Sequence, residues 1–132
     1  MYYVLFALFG IIGAWFRYSL EILMPFHSYP VATLVINILG CFLLAFVTRF
    51  LIWIPRLSQQ MVSAIGTGFV GSFTTFSTFT LENAQLLNRG AYIAAASYLI
   101  FSIGGGLAAC ALGYRLSKML LIHRKRRPNH AD

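Results

Sequence analysis

GFVGSFTTFSTFT (residues 68–80) holds six hydroxyl side chains, four phenylalanines and two glycines, and no charge. Glycines, β-branched residues and hydroxyls close together weaken a helix locally. A helix that only sits in lipid has no use for so many hydroxyls. A helix in water would not place four phenylalanines beside them. The solvent of this segment decides how the rest of the chain is read.

Composition answers that first question. The chain has 132 residues, of which 59% are hydrophobic and 10% charged, against about 25% charged in an ordinary soluble domain. So short a chain buries too little surface to hide this much apolar area from water. Residues 1–16, 31–48, 59–81 and 90–114 carry no charge. A membrane-crossing helix needs about 20 mostly apolar residues. The first run reaches that length if Arg17 lies at the interface with its head snorkelling towards water. The reading is an all-α integral membrane protein, one four-helix domain over residues 1–132. The helices are expected at about 2–24, 30–53, 59–88 and 91–121, with a basic tail at 122–132.

The connections are short. MPFHSYP (24–30) and WIPRLSQ (53–59) carry proline where a helix should stop, and NRG (88–90) is a tight turn. No lysine or arginine precedes the first apolar run and no convincing small-residue cleavage site follows it, so it reads as a helix and not as a cleaved signal. Cys41 and Cys110 fall inside helices and read as small buried apolar residues. His27, His123 and His130 are too scattered to suggest a metal site. No dinucleotide or P-loop pattern is present, and no enzyme chemistry is indicated.

The net charge of +7 comes largely from the end of the chain, where six of the ten basic residues lie from Arg115 onward. A basic tail beside a membrane helix marks the cytoplasmic side and meets anionic lipid; it is not a nucleic-acid signal. In a four-helix layout Arg49 and Arg56 face one side and Arg17 and Arg89 the other. Without the tail this body has little preferred direction of insertion, and the tail favours one.

Polar residues inside the spans need partners within the protein. Asn37, in LVINILG, reads equally as interhelical glue or as a pore-facing donor through its amide NH2. Arg17 and Glu21, four apart, form an interfacial ion pair, or Arg17 faces a water-filled vestibule. Tyr98, Ser102, Gly106 and Cys110 share one face of the fourth helix, beside a ridge of Gly105, Ala109 and Gly113 suited to close packing. The opening segment then reads as a helix interrupted at mid-membrane, from Gly71 to Thr74. Such a break is tolerated where it is buried in protein or lines a wet cavity, and it exposes carbonyls that suit a hard cation such as Na+. Phe76 and Phe79, three apart, offer electropositive ring edges to an anion, with the Ser77 and Thr78 hydroxyls nearby. No ionisable residue occurs between 57 and 81, which favours passive selection over a proton relay.

These residues resemble the small bacterial fluoride channels of the Fluc (CrcB) family. The likeness rests on GIIGAWFRY (10–18), NILG (37–40) and GFVGSFTTFSTF (68–79), and covers nearly the whole chain apart from the tail. The resemblance implies an antiparallel, dual-topology homodimer in the bacterial cytoplasmic (inner) membrane, with two pores lined by both subunits. It implies passive export of fluoride, which lowers its cytoplasmic concentration and toxicity. It further implies a structural Na+ at the dimer centre on the backbone carbonyls of Gly71 and Thr74. Phe76, Phe79, Asn37, Ser77, Thr78, Tyr98 and Ser102 would line the fluoride pore, with Arg17 and Glu82 near the vestibules. Two departures stand out: Gly106 replaces a further serine of some members, and the basic tail biases orientation. The alternative is a small multidrug-type proton-coupled transporter. That chemistry needs an intramembrane carboxylate in the first helix, and Glu21 lies near that helix's end, beside Arg17.

Overall fold

The computed structural model describes residues 2–24, 29–52, 54 and 57–125. His27, Arg56, His130 and the last part of the basic tail, residues 126–132, lie outside the described residues. Among those described, the regular structure is entirely helical: α1 (Tyr2–Leu23), α2 (Val31–Leu51), α3 (Gln59–Ser63), a π-helical turn (Ala64–Val70), α4 (Gly71–Phe73), α5 (Phe76–Asn88) and α6 (Tyr92–Lys125). Three stretches, Tyr3–Leu23, Val31–Leu51 and Tyr92–His123, are long and apolar enough to cross a membrane. The last helix runs four residues past the expected end at 121, so the tail begins as helix.

Local chemistry sets these boundaries. Pro30 is the N-cap of α2, and the Ser58 side chain caps α3 by accepting the Met61 N–H at 3.2 Å. Between α5 and α6 the chain turns in a Schellman motif. Ala91 N–H donates to Leu86 C=O and Gly90 N–H to Leu87 C=O, while Gly90 takes φ 73°. A side chain at that φ would be strained.

Residues 59–73 are helical without interruption, and the glycines at 66 and 68 lie within the π-helical turn. The chain becomes extended only at Thr74 (φ −80°, ψ 156°) and Thr75 (φ −145°, ψ 122°), while Gly71 stays helical. The expected start of the interruption, Gly71, is therefore too early. Glycine loosens the helix into a wider turn, and two β-branched threonines, comfortable in extended geometry, make the departure.

α2 packs most extensively on α6, and α1 lies along the π-helical turn and α4. Gly105, Gly106 and Gly113 of α6 face α2. A Cβ on Gly113 would lie 2.5 Å from the Phe42 carbonyl oxygen, too close for any side chain. Phe42, Phe46 and Phe50 stack along α2 with ring centroids 6.0 and 5.4 Å apart. The two cysteines depart from the buried reading: Cys110 is exposed and Cys41 half-buried. Large apolar residues of α1 such as Ile11, Trp15 and Ile22 also lie on the outside, as expected where the surrounding solvent is lipid.

Gly113→Ala is expected to lower the thermal midpoint of the detergent-purified protein by an amount matching about 1–3 kcal/mol of overpacking. Gly104→Ala, where a Cβ meets nothing within 4 Å, is expected to leave the midpoint unchanged or raise it. Equal midpoints for the two variants would contradict the α2–α6 packing.

Candidate functional site

The interruption at Thr74 and Thr75 leaves backbone groups that must be satisfied away from water. Asn37 satisfies two of them. Its Nδ2 donates to the Thr75 carbonyl at 2.9 Å, and its Oδ1 accepts the Thr75 N–H at 2.9 Å. The side chain thus pairs with the extended residue as a neighbouring β-strand would. Gly40, one turn further along α2, makes room for this approach: a Cβ there would collide with the Thr74 methyl group.

Thr75 then restarts the helix. Its Oγ1 caps α5 by accepting the Thr78 N–H at 3.2 Å, and its proton goes to Thr78 Oγ1 at 3.0 Å. Ser77 Oγ lies 3.3 Å from the same oxygen. Other hydroxyls follow the ordinary membrane pattern of bonding their own helix. Thr74 Oγ1 donates to Val70 C=O at 3.1 Å and Thr80 Oγ1 to Phe76 C=O at 2.9 Å.

These bonds have a consequence for the carbonyls. Thr75 N–H and Thr78 N–H are the donors that would continue a helical ladder to the carbonyls of Gly71 and Thr74. Asn37 Oδ1 and Thr75 Oγ1 take them instead. The Gly71 position is exposed, and a Cβ there would touch nothing within 4 Å. Both carbonyls are hard oxygen donors, the ligand type that suits an alkali or alkaline-earth cation.

An open groove of about 480 Å³ runs past this point. It gathers Asn37, Gly71, Thr74, Phe76, Phe79 and Ser102 from α2, α4, the interruption, α5 and α6, and among the described residues no charged side chain lines it. The Phe76 and Phe79 centroids are 6.0 Å apart with planes tilted by 34°. Phe76 is 79% exposed, whereas Phe79 is half-buried against Tyr98, with centroids 4.9 Å apart. Ser102 Oγ is buried without a hydrogen-bond partner. Asn37 Nδ2 uses one of its two protons on Thr75, which leaves the other.

The remaining expected site residues sit apart from this groove. Tyr98 is fully buried and its hydroxyl donates to Glu82 Oε2 at 2.8 Å, so its single proton is committed there. Glu82 Oε1 accepts from Thr33 Oγ1 at 2.9 Å. Arg17 Nε stands 3.8 Å from Glu21 Oε1, a loose ion pair beyond hydrogen-bond length, and both side chains are partly exposed. Arg17 and Glu82 do not line the groove.

Two contributors, Thr75 and Thr33, escape the sequence reading. Thr75 carries a legible signal: a threonine directly before the renewed apolar period is an N-cap position. Thr33 stands four residues before Asn37 and shares its helix face.

Comparisons with known proteins place the sequence in a family. Residues 4–114 match the family described as "CrcB-like protein, Camphor Resistance (CrcB)". The chain is 40% identical over 132 residues to the "Fluoride-specific ion channel FluC 2" of Listeria innocua serovar 6a, spanning 100% of both chains. It is 43% identical over 121 residues to the protein of the same description from Listeria monocytogenes serovar 1/2a, covering 92% of this chain and 94% of that one. It is also 43% identical over 122 residues to the "Fluoride-specific ion channel FluC 1" of Bacillus cereus, covering 90% of this chain and 85% of the relative.

Asn37→Ala strands the N–H and C=O of Thr75, and each unsatisfied buried group costs about 1–3 kcal/mol. Faster amide hydrogen exchange over residues 74–78 and a lower thermal midpoint are expected. Unchanged protection of those amides would contradict the pairing.

Proposed function

From a chain that belongs to the CrcB-like family, we infer a fluoride-selective ion channel that passively exports fluoride across the membrane. It is not an enzyme. The observation that carries the pore assignment is the uncharged groove with its unused donors. Fluoride is small and strongly hydrated, so a pore must replace its water with several donors at once. The Ser102 hydroxyl and the second proton of Asn37 Nδ2 are such donors, and the edges of Phe76 and Phe79 add weak positive character. None carries a full charge, so the ion is held and also released, as conduction requires. The Thr78 hydroxyl, which receives the Thr75 proton, keeps its own proton for the pathway, and Ser77 lies beside it. Tyr98 supports Phe79 from behind, and Arg17 and Glu82 belong to the approaches.

The residues at the interruption also fit a structural Na+. The carbonyls of Gly71 and Thr74, whose ladder donors are taken elsewhere, would hold it. A cation held there would supply positive charge to offset those carbonyl dipoles. Hydroxyl and amide groups of this chain would line the fluoride path in the same groove.

The active unit in this reading is an antiparallel homodimer with two pores, in the bacterial cytoplasmic membrane. The groove is open along one side, and Phe76 is exposed. A second copy would close the groove and cover that ring, since a lone aromatic edge facing lipid selects nothing. The segment 59–88 forms the fourth crossing, as two helical parts joined at Thr74 and Thr75. The basic residues from Arg115 onward favour their own side as cytoplasmic, and an antiparallel pair requires that they be tolerated on both sides.

Fluoride efflux from proteoliposomes of the purified protein tests the reading. Rapid efflux is expected, and no efflux from a folded dimer would refute it. Phe79→Ile is expected to abolish or sharply reduce efflux with the dimer intact, and wild-type flux would contradict the pore assignment. Replacing Na+ throughout purification with a large organic cation is expected to impair function or dimer stability. Indifference to that replacement would remove the Gly71 and Thr74 site.

A further inference from the structure

A second cavity, of about 660 Å³, lies between the end of α2 and the second half of α6. Among the described residues three cations line it, Arg49, Arg115 and Lys118, and no carboxylate does. Like charges gathered around one cavity need an anion to offset their repulsion.

Arg49 is held there by packing. Its guanidinium carbon lies 4.9 Å from the centroid of the Tyr114 ring, a cation–π contact that orients the planar fork. Its Nε is buried with no hydrogen-bond partner among the described residues. The residue therefore presents a fixed donor set with one donor unspent, in the bidentate geometry that suits phosphate.

Depth argues for a lipid as the source of that phosphate. At 1.5 Å per residue, Arg49 lies about 27 Å along α2 from Val31, and Lys118 about 39 Å along α6 from Tyr92. The hydrocarbon core is about 30 Å thick. With both helices starting at the opposite face, the three cations reach headgroup level. One to two turns deeper, Ala45, Cys110 and Ala111 give the cavity a small, largely apolar floor. Cations at headgroup depth above an apolar floor match an anionic lipid: phosphate at the top, acyl chain below.

We propose that the cavity between α2 and α6 binds the phosphate of an anionic phospholipid, held by Arg49, Arg115 and Lys118. The site stands apart from the fluoride groove and depends on the membrane placement of α2 and α6, not on conduction.

Native mass spectrometry of the full-length protein in mild detergent tests it. Phosphatidylglycerol, phosphatidylcholine and inorganic phosphate are titrated separately. The wild type is expected to retain phosphatidylglycerol about tenfold or more over phosphatidylcholine. That preference is expected to disappear in Arg115→Gln/Lys118→Gln, whose changed side chains are exposed and whose thermal midpoint should hold. A second variant, Arg49→Gln, is expected to lose it as well, and Arg89→Gln, in the turn before α6, to keep it. Undiminished retention in the double variant overturns the proposal. So does inorganic phosphate that binds alone and displaces the lipid, which makes the site one for a free anion. A double variant that loses its dimer while lipid retention persists assigns the face to a second copy and also overturns it.

Discussion

The structure depends on one pairing, the side-chain amide of Asn37 against the backbone of Thr75. A polypeptide that leaves helical geometry inside an apolar solvent exposes an N–H and a carbonyl, and water is absent to receive them. Asn37 meets both at 2.9 Å. With that pairing in place, Thr75 can remain extended, cap α5 and start a helix whose first and fourth residues are Phe76 and Phe79. The same diversion of donors releases the carbonyls of Gly71 and Thr74. The interruption, the cap of α5 and the placement of Phe76 and Phe79 thus arise from a single local solution to a hydrogen-bonding problem.

Rigidity around that point has a second source. Glu82 is half-buried, and it is held by Thr33 from α2 and Tyr98 from α6. The Tyr98 ring forms the wall against which Phe79 packs. That wall limits how far the Phe79 ring can turn. The close approach of α6 to α2 at Gly113 keeps Tyr98 and Asn37 in one framework.

Much of this was legible in the sequence, for identifiable reasons. The apolar runs announce the long helices because hydrophobicity over about 20 residues is a local property. The hydroxyl-rich stretch announces a departure from ordinary helix, though Gly71 was expected to begin it and Thr74 does. Glycine permits a departure; the bonding partner decides where it occurs, and that partner lies 38 residues away. Asn37 read equally as glue or as donor, and it acts as glue with one proton while the other remains available. Tyr98 looked like a pore hydroxyl, yet its proton belongs to Glu82, a pairing across a turn between helices that no periodicity reveals. Cys110 read as buried because most cysteines are, whereas α6 presents it outward.

Among the described residues, no charged side chain lines the groove at this site. The most direct measurement sets fluoride and chloride gradients in opposition across a planar bilayer containing the purified protein. The account predicts a reversal potential at the fluoride equilibrium value. A reversal at the chloride value, or midway between the two, would contradict an uncharged groove that replaces the water of fluoride alone.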